Sequence, residues 1–140
     1  ENDIINLNNM MITTNSSMGT LAAEIKDEKM FSNQNIVKVK TKEKLNNKNS
    51  SLALKFERNF ILNGEKNIYH HIGIYAYKVN TLEKFINLKQ TKNEIEKKLE
   101  QLRALDNNLE INVSLAKSSP IGIDTNEDYL ALKKIMEYKS

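Results

Sequence analysis

Apolar and polar side chains alternate with a period of two along Tyr69-His70-His71-Ile72-Gly73-Ile74-Tyr75-Ala76-Tyr77, which predicts a β-strand with two unlike faces. Ile72, Ile74 and Ala76 share one face; His71, Tyr75 and Tyr77 share the other, with Gly73 between them. A glycine within a strand often marks the close approach of a ligand or another backbone, so the His71/Tyr75 face is expected to wall a pocket. The tandem histidines are a poor metal pair, because neighbours on a strand point in opposite directions.

The same patterning predicts strands at Met18–Ile25, Ile36–Val39, Ser51–Phe56 and Glu110–Ala116. In the third of these, Leu52, Leu54 and Phe56 alternate along one face. Met10-Met11-Ile12 suggests a short helix, Asp27–Met30 a helical turn, and Asn80 or Thr81 the start of another helix. The clearest helix opens at Thr91, where Glu94 stands three residues on as in a capping box. Ile95, Leu99, Leu102 and Leu105 then form a predicted buried stripe, leaving Glu100 and Gln101 on solvated flanks. A second capping box at Thr125 and Asp128 opens a last helix carrying Leu130, Leu132 and Ile135. Residues 43–51, rich in Asn, Lys and Ser, read as an exposed loop, and Asn63-Gly64 as a turn. Mixed strands and helices imply an α/β domain with a mixed sheet.

Composition narrows the class. The chain has 140 residues, enough for one domain, and no cysteine, which removes disulfides and thiol chemistry. No window approaches an apolar membrane span, and Glu1-Asn2-Asp3 does not open a signal peptide, so a cytoplasmic protein is expected. The net charge of +3 comes from lysines interleaved with acids, and arginine occurs only at Arg58 and Arg103. That mixture argues against a nucleic-acid surface. Lys38, Lys40, Lys42 and Lys44 are expected to lie along a solvated strand edge.

Three segments stand in order: His71-Ile72-Gly73-Ile74-Tyr75-Ala76-Tyr77, Leu99-Glu100-Gln101-Leu102-Arg103, and Gly122-Ile123-Asp124-Thr125-Asn126-Glu127-Asp128. With Met18-Gly19-Thr20-Leu21-Ala22, Asn35-Ile36-Val37-Lys38-Val39 and Phe56-Glu57-Arg58 they resemble the C-terminal half of the CMP-Kdo synthetase family, the 3-deoxy-manno-octulosonate cytidylyltransferases of lipopolysaccharide synthesis. The pattern departs from the family at Leu62, Lys97 and Asn126.

The resemblance implies the C-terminal part of a nucleotidyltransferase-like (Rossmann-like) domain that couples CTP to the acid sugar Kdo, with Mg²⁺ as cofactor and a homodimer as its assembly. It places Arg58, His71, Tyr75, Glu100 and Gln101 around Kdo, with Arg58 also the catalytic candidate, and makes Asp124 a Mg²⁺ ligand. An anionic polyol needs a cation for its carboxylate and hydrogen-bonding groups for its hydroxyls. Thr125 serves as the helix cap, which leaves the Asp124 carboxylate free for an ion. The family's triphosphate-binding loop and its Gln-Gly-Asp-Glu-Pro segment do not occur in residues 1–140. The expectation is therefore a single partial domain, the sugar-binding and dimerising half, completed by a separately encoded N-terminal half or cut from a longer enzyme, and inactive alone. The competing expectation is a non-catalytic remnant or dimerisation module.

Overall fold

The computed structural model describes residues 2–60, 64–117 and 126–137, apart from the side chains of residues 128 and 135. The elements run α1 (Asn2–Thr13), β1 (Met18–Ala23), α2 (Lys29–Ser32), β2 (Lys38–Thr41), β3 (Ser51–Glu57), β4 (Ile68–Tyr77), α3 (Val79–Ile86), α4 (Lys92–Lys97), α5 (Gln101–Asp106), β5 (Ile111–Leu115) and α6 (Asn126–Glu137). The strands form one mixed sheet in the order β1-β4-β2-β3-β5. It closes, because β5 pairs parallel with β1 and antiparallel with β3. Each described strand thus has a neighbour on both sides, and no edge is left to template pairing with another chain.

Both faces of β1 are covered. Met18 and Ala22 join Val39, Phe56, Tyr69, Val113, Phe85, Leu99 and Leu102 in the larger core. Leu21 and Ala23 pack with Ile72 and Ala116 against Leu7, Met10 and Met11 of α1. Helix α1 comes so close to the sheet that a Cβ at Gly19 would stand 2.7 Å from Met11 Sδ and 2.9 Å from Met10 Cε. The glycine required by close approach is therefore Gly19. At Gly73 a Cβ would meet nothing within 4 Å.

Two bulges decide which side chains enter the core. On β4, Thr20 pairs with Tyr75 and Leu21 with Ile72, so Gly73 and Ile74 are two extra residues. An insertion of two preserves a period of two, and His71, Tyr75 and Tyr77 keep a common face. On β3, Lys40 pairs with Lys55 and Thr41 with Ala53, so Leu54 is one extra residue. An insertion of one inverts the alternation. Ala53 and Phe56 both turn inward while Leu54 is 54% exposed, which corrects the expected Leu52/Leu54/Phe56 face.

The lysine-rich strand is also corrected. Strand β2 lies between β4 and β3 and is not an edge. Lys38 is 0% exposed, and its ammonium donates to the backbone oxygens of Asn33 (2.6 Å) and Arg58. The loop after β2 is anchored by buried Leu45, whose N–H donates to Tyr69 Oη at 2.8 Å. The capping box predicted at Thr91 forms, with Thr91 Oγ1 accepting from Glu94 N and the Glu94 carboxylate accepting from Thr91 N. The helix then stops at Lys98, which adopts a left-handed conformation (φ 53°, ψ 48°) before α5 begins. That break divides the expected stripe: Leu99 and Leu102 are buried, whereas Ile95 is 59% exposed. No helix among the described residues is long and apolar enough to cross a membrane.

Candidate functional site

The shared face of β4 carries a row of rings that crosses the larger core. Phe56 meets His71 edge-on at 5.0 Å between centroids, His71 meets Tyr75 at 5.6 Å, Tyr75 meets Tyr77 at 6.2 Å, and Tyr77 meets Phe85 of α3 at 5.9 Å. His71 is only 7% exposed, so it supports the face from within; Tyr75 and Tyr77 are half-buried. The predicted pocket wall is thus a packed aromatic ladder at its His71 end.

Thr20 completes the ladder's polar contacts. Its hydroxyl oxygen lies 2.8 Å from the carbonyl oxygen of Ile74 in the bulge and 3.0 Å from His71 Nε2. A hydroxyl has one proton to give. With that proton on the Ile74 carbonyl, Oγ1 accepts from His71 Nε2–H, and the neutral imidazole keeps its lone pair on Nδ1. Burial, reinforced by the neighbouring His70, lowers the His71 pKa to about 3, so the ring is uncharged at neutral pH. Burial also raises the Tyr75 pKa, with Tyr77 and Glu100 adding to the effect, and Tyr75 remains a hydrogen-bond donor. Tyr77 is raised by burial and by Glu100 and partly relieved by Arg103.

The break at Lys98 separates Glu100 and Gln101 from the α4 helix. Their expected positions on solvated flanks assumed one continuous helix. In the structure Gln101 is buried in the first turn of α5, while Glu100 is exposed and acts electrostatically on both tyrosines. Beside them lies a groove of about 390 Å³ lined by Gln90, Glu94, Ile95, Lys98, Leu99 and Glu100.

Arg58 follows the end of β3, two residues beyond Phe56. Its Nη1 donates to the Gln34 carbonyl at 3.1 Å, and its carbonyl accepts from Lys38. Burial, with Arg58 adding, lowers the Lys38 pKa. The structure therefore groups His71, Tyr75 and Glu100 and sets Arg58 at the Phe56 end. Asp124, with its neighbour Thr125, lies outside the described residues. Among the described residues no three of His, Asp and Glu gather to hold a metal ion.

Four contributors escaped sequence reasoning: Thr20, Lys38, Glu94 and Arg103. Thr20, Lys38 and Arg103 stand in the segments that carry the resemblance without being singled out there, and the capping box gave Glu94 its local role and not its ion pair. Glu57 adds a smaller surprise: burial pushes its pKa up, but hydrogen bonds from Lys97 and Lys55 outweigh that and lower it. Lys97, a departure from the family pattern, pairs with Glu57 at 2.5 Å.

Residues 2–111 match the sequence profile of the cytidylyltransferase family. The chain is 38% identical over 135 residues to the 3-deoxy-manno-octulosonate cytidylyltransferase of Bartonella bacilliformis, covering 96% of this chain and 55% of that protein. It is 40% identical over 113 residues to the enzyme of the same name from Brucella ovis, covering 81% and 45%. It superposes on a solved CMP:2-keto-3-deoxy-manno-octonic acid synthetase complexed with CTP at a TM-score of 0.82 and 25% identity, covering 99% of this chain and 57% of that one. The chain spans about half the length of the curated relatives it matches.

Proposed function

The chain belongs to the cytidylyltransferase family, and from that premise we propose that it forms the sugar-binding portion of a 3-deoxy-manno-octulosonate cytidylyltransferase. It would correspond to the C-terminal part of a nucleotidyltransferase-like domain in a homodimeric cytoplasmic enzyme of lipopolysaccharide synthesis. The reaction joins CTP and Kdo to give CMP-Kdo and pyrophosphate. The observation that carries this reading is the contact of His71 with Tyr75, on which Glu100 acts electrostatically, in a chain 96% of which aligns with a cytidylyltransferase of this specificity.

In this proposal Tyr75 donates to a sugar hydroxyl, Glu100 and Gln101 hold further hydroxyls, and Arg58 neutralises the sugar carboxylate. His71 stays neutral and fixes the Tyr75 ring. Holding the anionic sugar in one orientation converts an encounter into a near-attack geometry. Magnesium, when bound, would neutralise phosphate oxygens during nucleotidyl transfer. Asp124 is the residue proposed to hold it.

The test is a chimaera in which this chain replaces the matching portion of the Bartonella bacilliformis enzyme, assayed for pyrophosphate release from CTP and Kdo. Turnover supports the proposal. A folded chimaera without turnover favours the non-catalytic remnant. Tyr75→Ala is expected to raise the Kdo KM by roughly 5- to 150-fold, the range of about 1–3 kcal/mol for a lost polar contact, and His71→Ala to raise it in the same direction by freeing the Tyr75 ring it packs against. His70→Ala, on the opposite face of β4, is expected to cost far less, and equal losses at His70 and His71 would remove the face assignment. Asp124→Asn is expected to raise the Mg²⁺ concentration needed for half-maximal rate without lowering Tm, since it removes charge and little volume. A lowered Tm with unchanged Mg²⁺ dependence would make Asp124 structural.

A further inference from the structure

The Glu94 carboxylate is the most heavily engaged acid among the described residues. It accepts from Thr91 N (3.2 Å), from Gln90 Nε2 (3.3 Å) and from both Arg103 Nε (2.9 Å) and Arg103 Nη2. The Glu94 carbonyl accepts from the backbone N–H groups of Lys98 and Leu99, the two residues at the left-handed break. Arg103 lies on the far side of that break, and its backbone N–H donates to the Glu100 carbonyl at 3.0 Å. Its guanidinium also covers Phe85 at 5.0 Å from the ring centre, and Phe85 is the last ring of the ladder that includes Tyr75 and Tyr77.

One ion pair therefore touches the two elements that carry the site, the α4–α5 corner and the ring row. We propose that the Glu94–Arg103 pair is a positioning device for the sugar-binding face: it clamps α4 to α5 across Lys98 and so sets where Glu100, which acts on Tyr75 and Tyr77, stands at the start of α5. This rests on the sugar-site reading given above. The clamp needs arginine. A planar fork bonds both carboxylate oxygens while its face lies on Phe85, and an ammonium can do only one of these. The pair is also nearly dry, so losing either partner leaves a poorly solvated charge.

The experiment is calorimetric titration of Kdo into the chimaera described above, with Tm recorded for each variant. Arg103→Lys keeps the charge and loses the fork; Glu94→Gln keeps the shape and loses the charge. Each is expected to weaken Kdo binding about tenfold, the effect of misplacing one ligand hydrogen bond. Lys92→Ala, which breaks the exposed Lys92–Glu96 pair on the same helix, is expected to leave affinity unchanged. If the unsubstituted chimaera folds but binds no Kdo, the sugar-site reading itself fails. If it binds and both variants bind equally well, with or without a fall in Tm, the pair is a structural staple and the positioning role is overturned. Failure of both variants to fold also assigns the pair to stability alone.

Discussion

Phe56→Ala is expected to destabilise the chain by about 3–5 kcal/mol, the usual range for removing a fully buried aromatic ring. Phe56 is 0% exposed and touches His71 edge-on, so its loss opens a cavity beneath the first polar group of the ladder. A domain of this size has about 5–15 kcal/mol of stability in total, which makes the loss a large fraction of it. Urea denaturation reads it as a lower midpoint with an unchanged slope. Leu54→Ala provides the contrast, with a change within about 0.5 kcal/mol expected at this exposed position. The comparison tests the bulge directly, because unbroken alternation on β3 would put Leu54 and Phe56 on one buried face. A Leu54→Ala loss comparable to that of Phe56→Ala would restore the unbulged strand.

What the sequence shows and what it hides divides along physical lines. Period-two alternation in Ile111, Val113 and Leu115, and the Thr91/Glu94 capping box, are local signals that survive into the structure because nothing interrupts them. The common face of His71, Tyr75 and Tyr77 survives because its bulge adds an even number of residues. The Leu52/Leu54/Phe56 face fails because its bulge adds one, and a bulge is set by the partner strand, here by Thr41 pairing with Ala53. Lys38 has the residue type of a solvated edge. Its burial follows from the two carbonyls that converge on it from Asn33 and Arg58, far apart in sequence.

The site shows the same division. Resemblance supplied Arg58, His71, Tyr75, Glu100, Gln101 and Asp124, but helical spacing argued against Glu100 and Gln101. A left-handed lysine, a conformation uncommon for any residue other than glycine and invisible to propensity reasoning, ends α4 and buries Gln101 in α5, while Glu100 stays exposed as its spacing predicts. Ion pairing across that break, between Glu94 and Arg103, depends on the turn and so could not be read before it. Thr20 was one polar residue in an apolar strand; only the bulge on β4 brings the Ile74 carbonyl and His71 to its hydroxyl.

Acid is expected to destabilise the fold well above the range where carboxylates titrate. Burial, with His70 adding, holds the His71 pKa at about 3 in the folded chain, against 6.5 in an exposed histidine. Below about pH 6.5 the unfolded chain binds a proton that the folded chain refuses. Stability therefore rises with pH across this window and falls on acidification, by about 1.4 kcal/mol per pH unit from this group and on the order of 4 kcal/mol between pH 6.5 and 3. His70 is lowered in the same direction by burial and by Lys38. Glu94, held at about 2 chiefly by its hydrogen bonds from Arg103 despite the opposing effect of burial, adds a separate loss only as pH falls through the carboxylate range. Urea midpoints measured from pH 7 to pH 4 separate these groups. His71→Gln is expected to lower stability at pH 7, because Thr20 loses its fitted partner, and to flatten the slope between pH 6.5 and 4.5, where the carboxylates contribute little. His70→Gln is expected to leave most of that slope in place. An unchanged slope in His71→Gln would mean that the imidazole accepts a proton in the folded chain, and that the ladder is open to water at its His71 end.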